Sequence, residues 1–240
     1  MNQSCLHSPS LDYLNENYKR ISSQISEAAI KSGRSPEDVQ LMAVTKTINP
    51  LMINHMLSLG VKLIGENKVQ ELMSKIDFLE KDNIDIHIIG HLQSNKVRKI
   101  INTVSMIQSV DSISLIDEIS RQAQMNDRSM EILLEVNIGD EEAKTGLPVD
   151  ALNECAFRAC ETPGIILRGL MCLPPICEED EARRYFEKTK RLYDDLSSAL
   201  RDRAELSVLS MGMSSDFVPA ILEGATLVRV GSALFGARQY

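Results

Sequence analysis

No apolar run in this chain approaches the roughly 18 to 20 residues that a membrane-spanning helix needs. The first ten residues are polar and hold no signal-peptide core. Basic side chains are in deficit, 26 Lys and Arg against 34 Asp and Glu, for a net charge of −8. That balance argues against a broad polyanion-binding face and hence against nucleic acid as a partner. It leaves room for one buried phosphate, which needs only a few local donors. The cysteines, at positions 5, 155, 160, 172 and 177, are odd in number and form no Cys-x-x-Cys pair. They read as the reduced thiols of a cytoplasmic protein, with a regulatory Cys172–Cys177 disulfide as the alternative. Histidines are few; His87 and His91 lie four apart on a predicted strand, about 13 Å in extended chain and too far for one metal. His87 is expected to pack against the sheet. There is no low-complexity stretch and no linker, so one domain over residues 1–240 is expected.

What is present is a regular alternation. Leu11, Leu14, Tyr18, Ile21, Ile25 and Ala28 recur every three or four residues, which predicts an amphipathic helix packed on the domain, capped by Ser10 and stopped by Gly33. Short apolar runs follow at 40–44, 62–64, 84–89, 104–110, 130–136, 165–171, 206–209 and 226–230. Helical patterns lie between them at 50–59, 68–80, 95–101, 112–125, 149–160, 179–202 and 216–222. Pro50, Ser94, Ser112 and Pro148 stand where caps and first-turn prolines belong. Eight strands in strict alternation, in 240 residues of which 43% are hydrophobic, predict a single (β/α)8 barrel with an extra N-terminal helix. An open doubly wound sheet is the alternative.

Chemistry in a barrel sits at the C-terminal strand ends. Those ends read Lys46, Glu66 and Asn67, His91, Asp111, Asn137, Pro174 and Pro175, then 210–214 and 229–232. A lysine ending an inner strand has its pKa lowered by burial, and its free amine can form a Schiff base with an aldehyde. The competing reading is a rim salt bridge from Lys46 to Glu66 or Asp111. Glu66 and Asn67 also suit N-capping of the next helix. Arg229, one residue before its strand ends, needs an acceptor, either an ion pair or a ligand heteroatom. Met171, Met211 and Met213 read as core and wall. Lys96, Arg98 and Lys99 read as a solvated basic face.

The last two strands each end in glycine beside a hydroxyl residue, as Met211-Gly-Met-Ser214 and Val230-Gly-Ser232. A strand that stops there and restarts as helix presents backbone N–H groups to one spot, which suits a phosphate. Two such turns after strands 7 and 8 give the layout of a barrel's phosphate cup.

Several segments together resemble one family, the pyridoxal phosphate homeostasis proteins. They are AVTKT at 43–47, IGENKVQE at 64–71, HIIGHLQSNK at 87–96, VNI at 136–138, KTG at 144–146, LRGLM at 167–171, LSMGMS at 209–214 and VRVGSALFGAR at 228–238. The resemblance implies an alanine-racemase-type barrel, fold type III without the C-terminal β domain, that binds pyridoxal 5′-phosphate. It further implies that Lys46 carries the Schiff base and that Ser214, Gly231 and Ser232, with the Met213 backbone, form the phosphate cup. Arg229 would face the pyridine nitrogen, with Asn67 and Met211 beside the ring. Thr145 stands where the family commonly has serine, and Ser215 where an acidic residue or asparagine is frequent.

The chain then reads as a cofactor carrier, most simply a monomer, that supplies pyridoxal phosphate to apo-enzymes. An amino-acid racemase is the first alternative and a Schiff-base aldolase acting on a sugar phosphate the second. Against a racemase, no second domain is expected after residue 240. No obvious tyrosine or cysteine offers the second base; Tyr13, Tyr18, Tyr185, Tyr193 and Tyr240 all fall on predicted helices or the tail. An arginine opposite the ring nitrogen also disfavours its protonation and weakens the ring as an electron sink.

Overall fold

The structure, a computed structural model, describes residues 11–80, 82, 84–141 and 145–236. Eight parallel strands run β1 (Gln40–Val44), β2 (Leu63–Glu66), β3 (Asp85–Ile88), β4 (Met106–Val110), β5 (Met130–Val136), β6 (Ile165–Cys172), β7 (Val208–Ser210) and β8 (Leu227–Val230). They pair in sequence order, and β8 closes on β1 with Met42 opposite Arg229 and Ala43 opposite Val230. That last pairing excludes the open sheet. The helices are α1 (Asp12–Lys31), α2 (Pro50–Ser58), α3 (Val69–Lys75), α4 (Val97–Ile100), α5 (Ile113–Met125), α6 (Leu152–Glu161), α7 (Glu179–Ala199), α8 (Phe217–Leu222) and α9 (Ser232–Phe235).

The boundaries follow local chemistry. Pro50 opens α2 behind Asn49, whose side chain accepts the Leu51 N–H, and Ser112 caps α5 through the Leu115 N–H. The expected Ser10 cap lies outside the described residues; Leu11 precedes α1. The helix expected over 68–80 divides into α3 and a 3₁₀ turn at Ile76–Phe78, and the one over 95–101 into a 3₁₀ turn at Ser94–Lys96 followed by α4. The seventh strand is shifted from 206–209 to Val208–Ser210, which brings Ser210 onto the inner wall. α1 is anchored by Leu14, Ile21, Ile25 and Ala28, all buried, and by Asn17, which donates to the Leu234 carbonyl at 2.9 Å. Among the described residues no helix is long and apolar enough to cross a membrane.

Alternation along each strand sends one set of side chains to the helices and the other into the barrel. Ala43, Ile64, Ile88, Ile132, Leu134, Leu170 and Val228 join the helices in the main core. Met42, Val44, Leu63, Ile89 and Leu227 fill the interior on one side, and Met106, Leu133 and Met171 on the other.

Above this apolar floor lies a chain of hydrogen bonds. Arg229 Nη1 donates to Ser210 Oγ at 2.6 Å, Ser210 donates to Gln108 Oε1 at 2.7 Å, and Gln108 Nε2 lies 2.9 Å from His87 Nδ1. His87 therefore points into the barrel rather than against the helix side of the sheet. Burial pushes its pKa down from 6.5 to about 3, so it accepts from Gln108 as the neutral ring.

Because the folded pKa lies below the unfolded one, the unfolded chain takes up the His87 proton first as pH falls. Stability from this residue is complete above about pH 6.5 and falls by about 1.4 kcal/mol per unit towards pH 3. His87→Gln keeps an acceptor without the titration. Urea melts between pH 6.5 and 4 are expected to show a shallower loss for the variant than for the parent. Parallel curves would contradict the assignment.

Candidate active-site cavity

A cavity of about 460 Å³ opens at the C-terminal strand ends. Its walls bring together Lys46, Asn67, Met213, Ser214, Arg229, Gly231 and Ser232, seven of the eight residues expected there. Met211 is the exception. It follows Ser210, which points inward, so alternation turns it outward into the hydrophobic core, fully buried and away from the cavity. A larger hollow, about 770 Å³, lies at the opposite barrel end between α1 and the strand starts, far from this polar cluster.

Lys46 sits in a tight turn directly after β1. The Thr45 N–H bonds the Gly65 carbonyl at 3.0 Å, and the Thr45 carbonyl accepts the Ile48 N–H at 3.1 Å. Thr47 has φ +64°, in the left-handed region. For a β-branched residue that costs on the order of 1–3 kcal/mol and persists only where neighbours enforce it.

Those neighbours are charged and largely buried. Lys75 donates to the Thr45 carbonyl at 2.7 Å, to Glu66 at 2.6 Å and to Glu71 at 2.8 Å. Glu66 also accepts the Thr45 hydroxyl at 2.5 Å, and Glu71 accepts the Thr47 N–H. Burial raises the Glu66 pKa, with Lys75 opposing the rise. Burial also disfavours ionised Glu71, but the bonds from Lys75 and Thr47 outweigh it and hold its pKa below the usual carboxylate value. Glu66 is thus an ion-pair partner and not the expected N-cap. Lys68 occupies that position without a side-chain bond, and Asn67 turns to the cavity. Of the rim acids weighed as partners for Lys46, Glu66 pairs with Lys75 at 2.6 Å and Asp111 lies 3.3 Å from His91 Nδ1.

On the neighbouring strand Arg229 is almost fully buried, with Nη2 donating to the Cys172 carbonyl at 2.8 Å. Burial lowers its pKa, and Cys172, Asp216 and Glu135 pull the other way. No disulfide joins Cys172 and Cys177. The Cys172 side chain turns away from the loop to meet Thr189 of α7 at 3.3 Å.

The serine end of the cavity is held together from within. Ser214 Oγ accepts the N–H groups of Gly231 at 3.1 Å and Ala233 at 3.2 Å, and Asp216 accepts the Met213 N–H at 2.5 Å. Gly212, at φ +89°, makes this turn; a Cβ there would stand 2.6 Å from Ala220 Cβ. The Gly212 carbonyl in turn accepts the Arg229 N–H at 3.0 Å, tying the β7 loop to β8.

Sequence reasoning missed Glu135, Thr145, Lys75, Glu71 and Asp216 as site residues. Glu135 lines the wall opposite Lys46, bonded by the Thr145 hydroxyl at 2.9 Å, and burial raises its pKa. Its signal was legible, since an acid on the inward parity of the apolar run Met130–Val136 has no surface to reach. Asn137 bonds its own loop at Glu141 and lies off the cavity. Pro175 packs beside Gly139.

The family model "Alanine racemase, N-terminal domain" matches residues 10–239. The chain is 39% identical over 226 residues to the pyridoxal phosphate homeostasis protein of Aquifex aeolicus, covering 94% of this chain and 98% of that one. It is 34% identical over 227 residues to the Escherichia coli K12 protein of the same name, covering 93% and 96%. Among solved structures it is similar to PipY of Synechococcus elongatus PCC7942 with PLP bound, at 32% identity and a TM-score of 0.78, over 88% of this chain and all of that one. Taken with the closed barrel, these matches show that the chain belongs to the pyridoxal phosphate homeostasis protein family, built on the alanine racemase N-terminal fold.

Proposed function

We propose that this protein binds pyridoxal 5′-phosphate reversibly in the cavity at the C-terminal strand ends and acts in vitamin B6 homeostasis as a carrier for apo-enzymes. The observation that carries this reading is the meeting, on one cavity wall, of a lysine, a buried arginine and paired serine-rich turns. The cofactor has a chemical counterpart for each: an aldehyde, a ring nitrogen and a phosphate. When bound, it supplies an electrophilic aldehyde that condenses reversibly with a primary amine.

Lys46 would supply that amine from the turn after β1. Ser214, Ser232 and the backbone at Met213 and Gly231 would hold the phosphate. Their N–H groups are engaged by Ser214 Oγ and Asp216, so phosphate would replace these short internal bonds with charge-assisted ones. Arg229 would meet the ring nitrogen, kept in place by Ser210 and the Cys172 carbonyl. Asn67 would flank the ring from β2's end. Met211 has no part in this contact set.

A carrier is favoured over a racemase by the opposite wall. A racemase needs a base on each face of its substrate. Among the described residues no tyrosine or cysteine lines the cavity; of the groups that could serve as a second base, His91 is paired with Asp111 and Glu135 is bonded by the Thr145 hydroxyl. Arg229, a permanent cation, leaves the ring nitrogen without a proton and the ring a poor sink for carbanion electrons. We further propose that the whole chain folds as one unit and works in the cytoplasm as a monomer; four described cysteines outside any disulfide suit that compartment.

Lys46→Ala is expected to abolish the absorption band that the lysine adduct adds to that of the free cofactor, while phosphate-driven binding persists, weakened by about tenfold or more. An undiminished band would remove Lys46 from the assignment. Ser232→Ala is expected to weaken retention by about two- to tenfold without moving the band. Unchanged affinity would take Ser232 out of the cup. Incubating the loaded protein with L-alanine, followed by chiral analysis, is expected to show no fast racemisation; rapid, Lys46-dependent formation of the D-isomer would overturn the carrier reading.

A further inference from the structure

We propose that Lys75, a buried lysine outside the cavity, is a positioning residue that sets where the Lys46 amine stands. Its consequence for ligand binding rests on the cofactor reading above. Lys75 Nζ meets three oxygens, the Thr45 carbonyl and one oxygen each of Glu66 and Glu71. An ammonium group has three N–H donors, so this set uses all of them and leaves no lone pair for attack on an aldehyde. Lys75 therefore serves as a clamp and not as a rival nucleophile.

The clamp grips Lys46 from both flanks. On one side Lys75 holds the Thr45 carbonyl while Glu66 holds the Thr45 hydroxyl. On the other Glu71, itself fixed by Lys75, holds the Thr47 N–H. The residue so held has the strained left-handed backbone. Relaxing Thr47 to ordinary φ would turn the adjoining Lys46 peptide and swing its side chain off the Arg229 side of the cavity. One ion cluster on α3 and β2 thereby fixes the aim of a residue in the turn after β1.

The test compares pyridoxal phosphate with 4-deoxypyridoxine 5′-phosphate, which has the same ring and phosphate but no aldehyde. In Lys75→Met the affinity for pyridoxal phosphate is expected to fall about tenfold or more, towards that of the deoxy analogue, whose own affinity stays within about twofold. Adding Thr47→Gly should recover several-fold of the loss, because glycine adopts the left-handed backbone without being held there. Without any ligand, hydrogen exchange at the Thr47 amide should speed up by about tenfold in Lys75→Met, while that at Thr45 is unchanged. Glu71→Gln, at a partly exposed position, should show the same pattern more weakly and covers the case in which Lys75→Met does not fold. Normal binding of pyridoxal phosphate with unchanged Thr47 exchange would overturn the clamp. So would equal loss of both ligands, which would make Lys75 a folding residue. Failure of the parent protein to bind either ligand would sink the cofactor reading, and the exchange measurement would still decide the clamp.

Discussion

The pairing of β8 with β1 is the constraint on which the site depends. It sets Met42 against Arg229 and Ala43 against Val230, so the turn after the first strand and the turns after the last two share one wall. Without closure, Lys46 and the serine turns would stand at opposite edges of a sheet. Closure also buries Arg229. A guanidinium taken from water costs several kcal/mol unless its donors are met, and here a serine hydroxyl and a backbone carbonyl meet two of the five. The run through Ser210 and Gln108 to a neutral His87 gives each hydrogen one direction, which fixes how the arginine faces the cavity.

Two kinds of support thus surround one lysine. Inside the barrel the hydrogen-bonded chain holds Arg229. Outside the wall the Glu66–Lys75–Glu71 cluster holds the strained turn that carries Lys46. Both are largely desolvated polar assemblies, and removing one member of either would leave a buried polar partner unmet, which is costly. A carrier has reason for such rigidity. Reversible capture needs the amine held near the aldehyde, since ordering a free lysine on binding would subtract from affinity. Glu135 and Thr145 complete the far wall with a carboxyl whose ionised form burial disfavours, so the cavity does not repel an anionic ligand there as strongly as its composition suggests.

Much of this was legible in the sequence for identifiable reasons. Periodicity located all eight strands because inner and outer faces are both apolar, and the glycine-hydroxyl ends of β7 and β8 marked the serine turns. Lys46 and Arg229 stood out as charges on apolar strands. Lys75 did not, because a lysine late in a short helix looks like any surface residue; only the fold shows that its helix turns it onto β1. Glu66 was misread as a cap because the pattern Gly-Glu-Asn before a helix is shared by caps and by strand-end acids. Met211 was placed beside the ring by the family resemblance alone; its residue type read as core and wall, and Ser210 facing inward turns it to the core. The Arg229–Ser210–Gln108–His87 chain joins four strands and has no local signature.

The most direct test of this account is to load the protein with pyridoxal phosphate, reduce it with borohydride and map the modified peptides. The account requires the label on Lys46, with Lys75 unmodified although it too is a lysine of the first barrel units. Label on Lys75, or spread over exposed lysines such as Lys68 and Lys99, would contradict both the placement of the cofactor and the division of labour between Lys46 and Lys75.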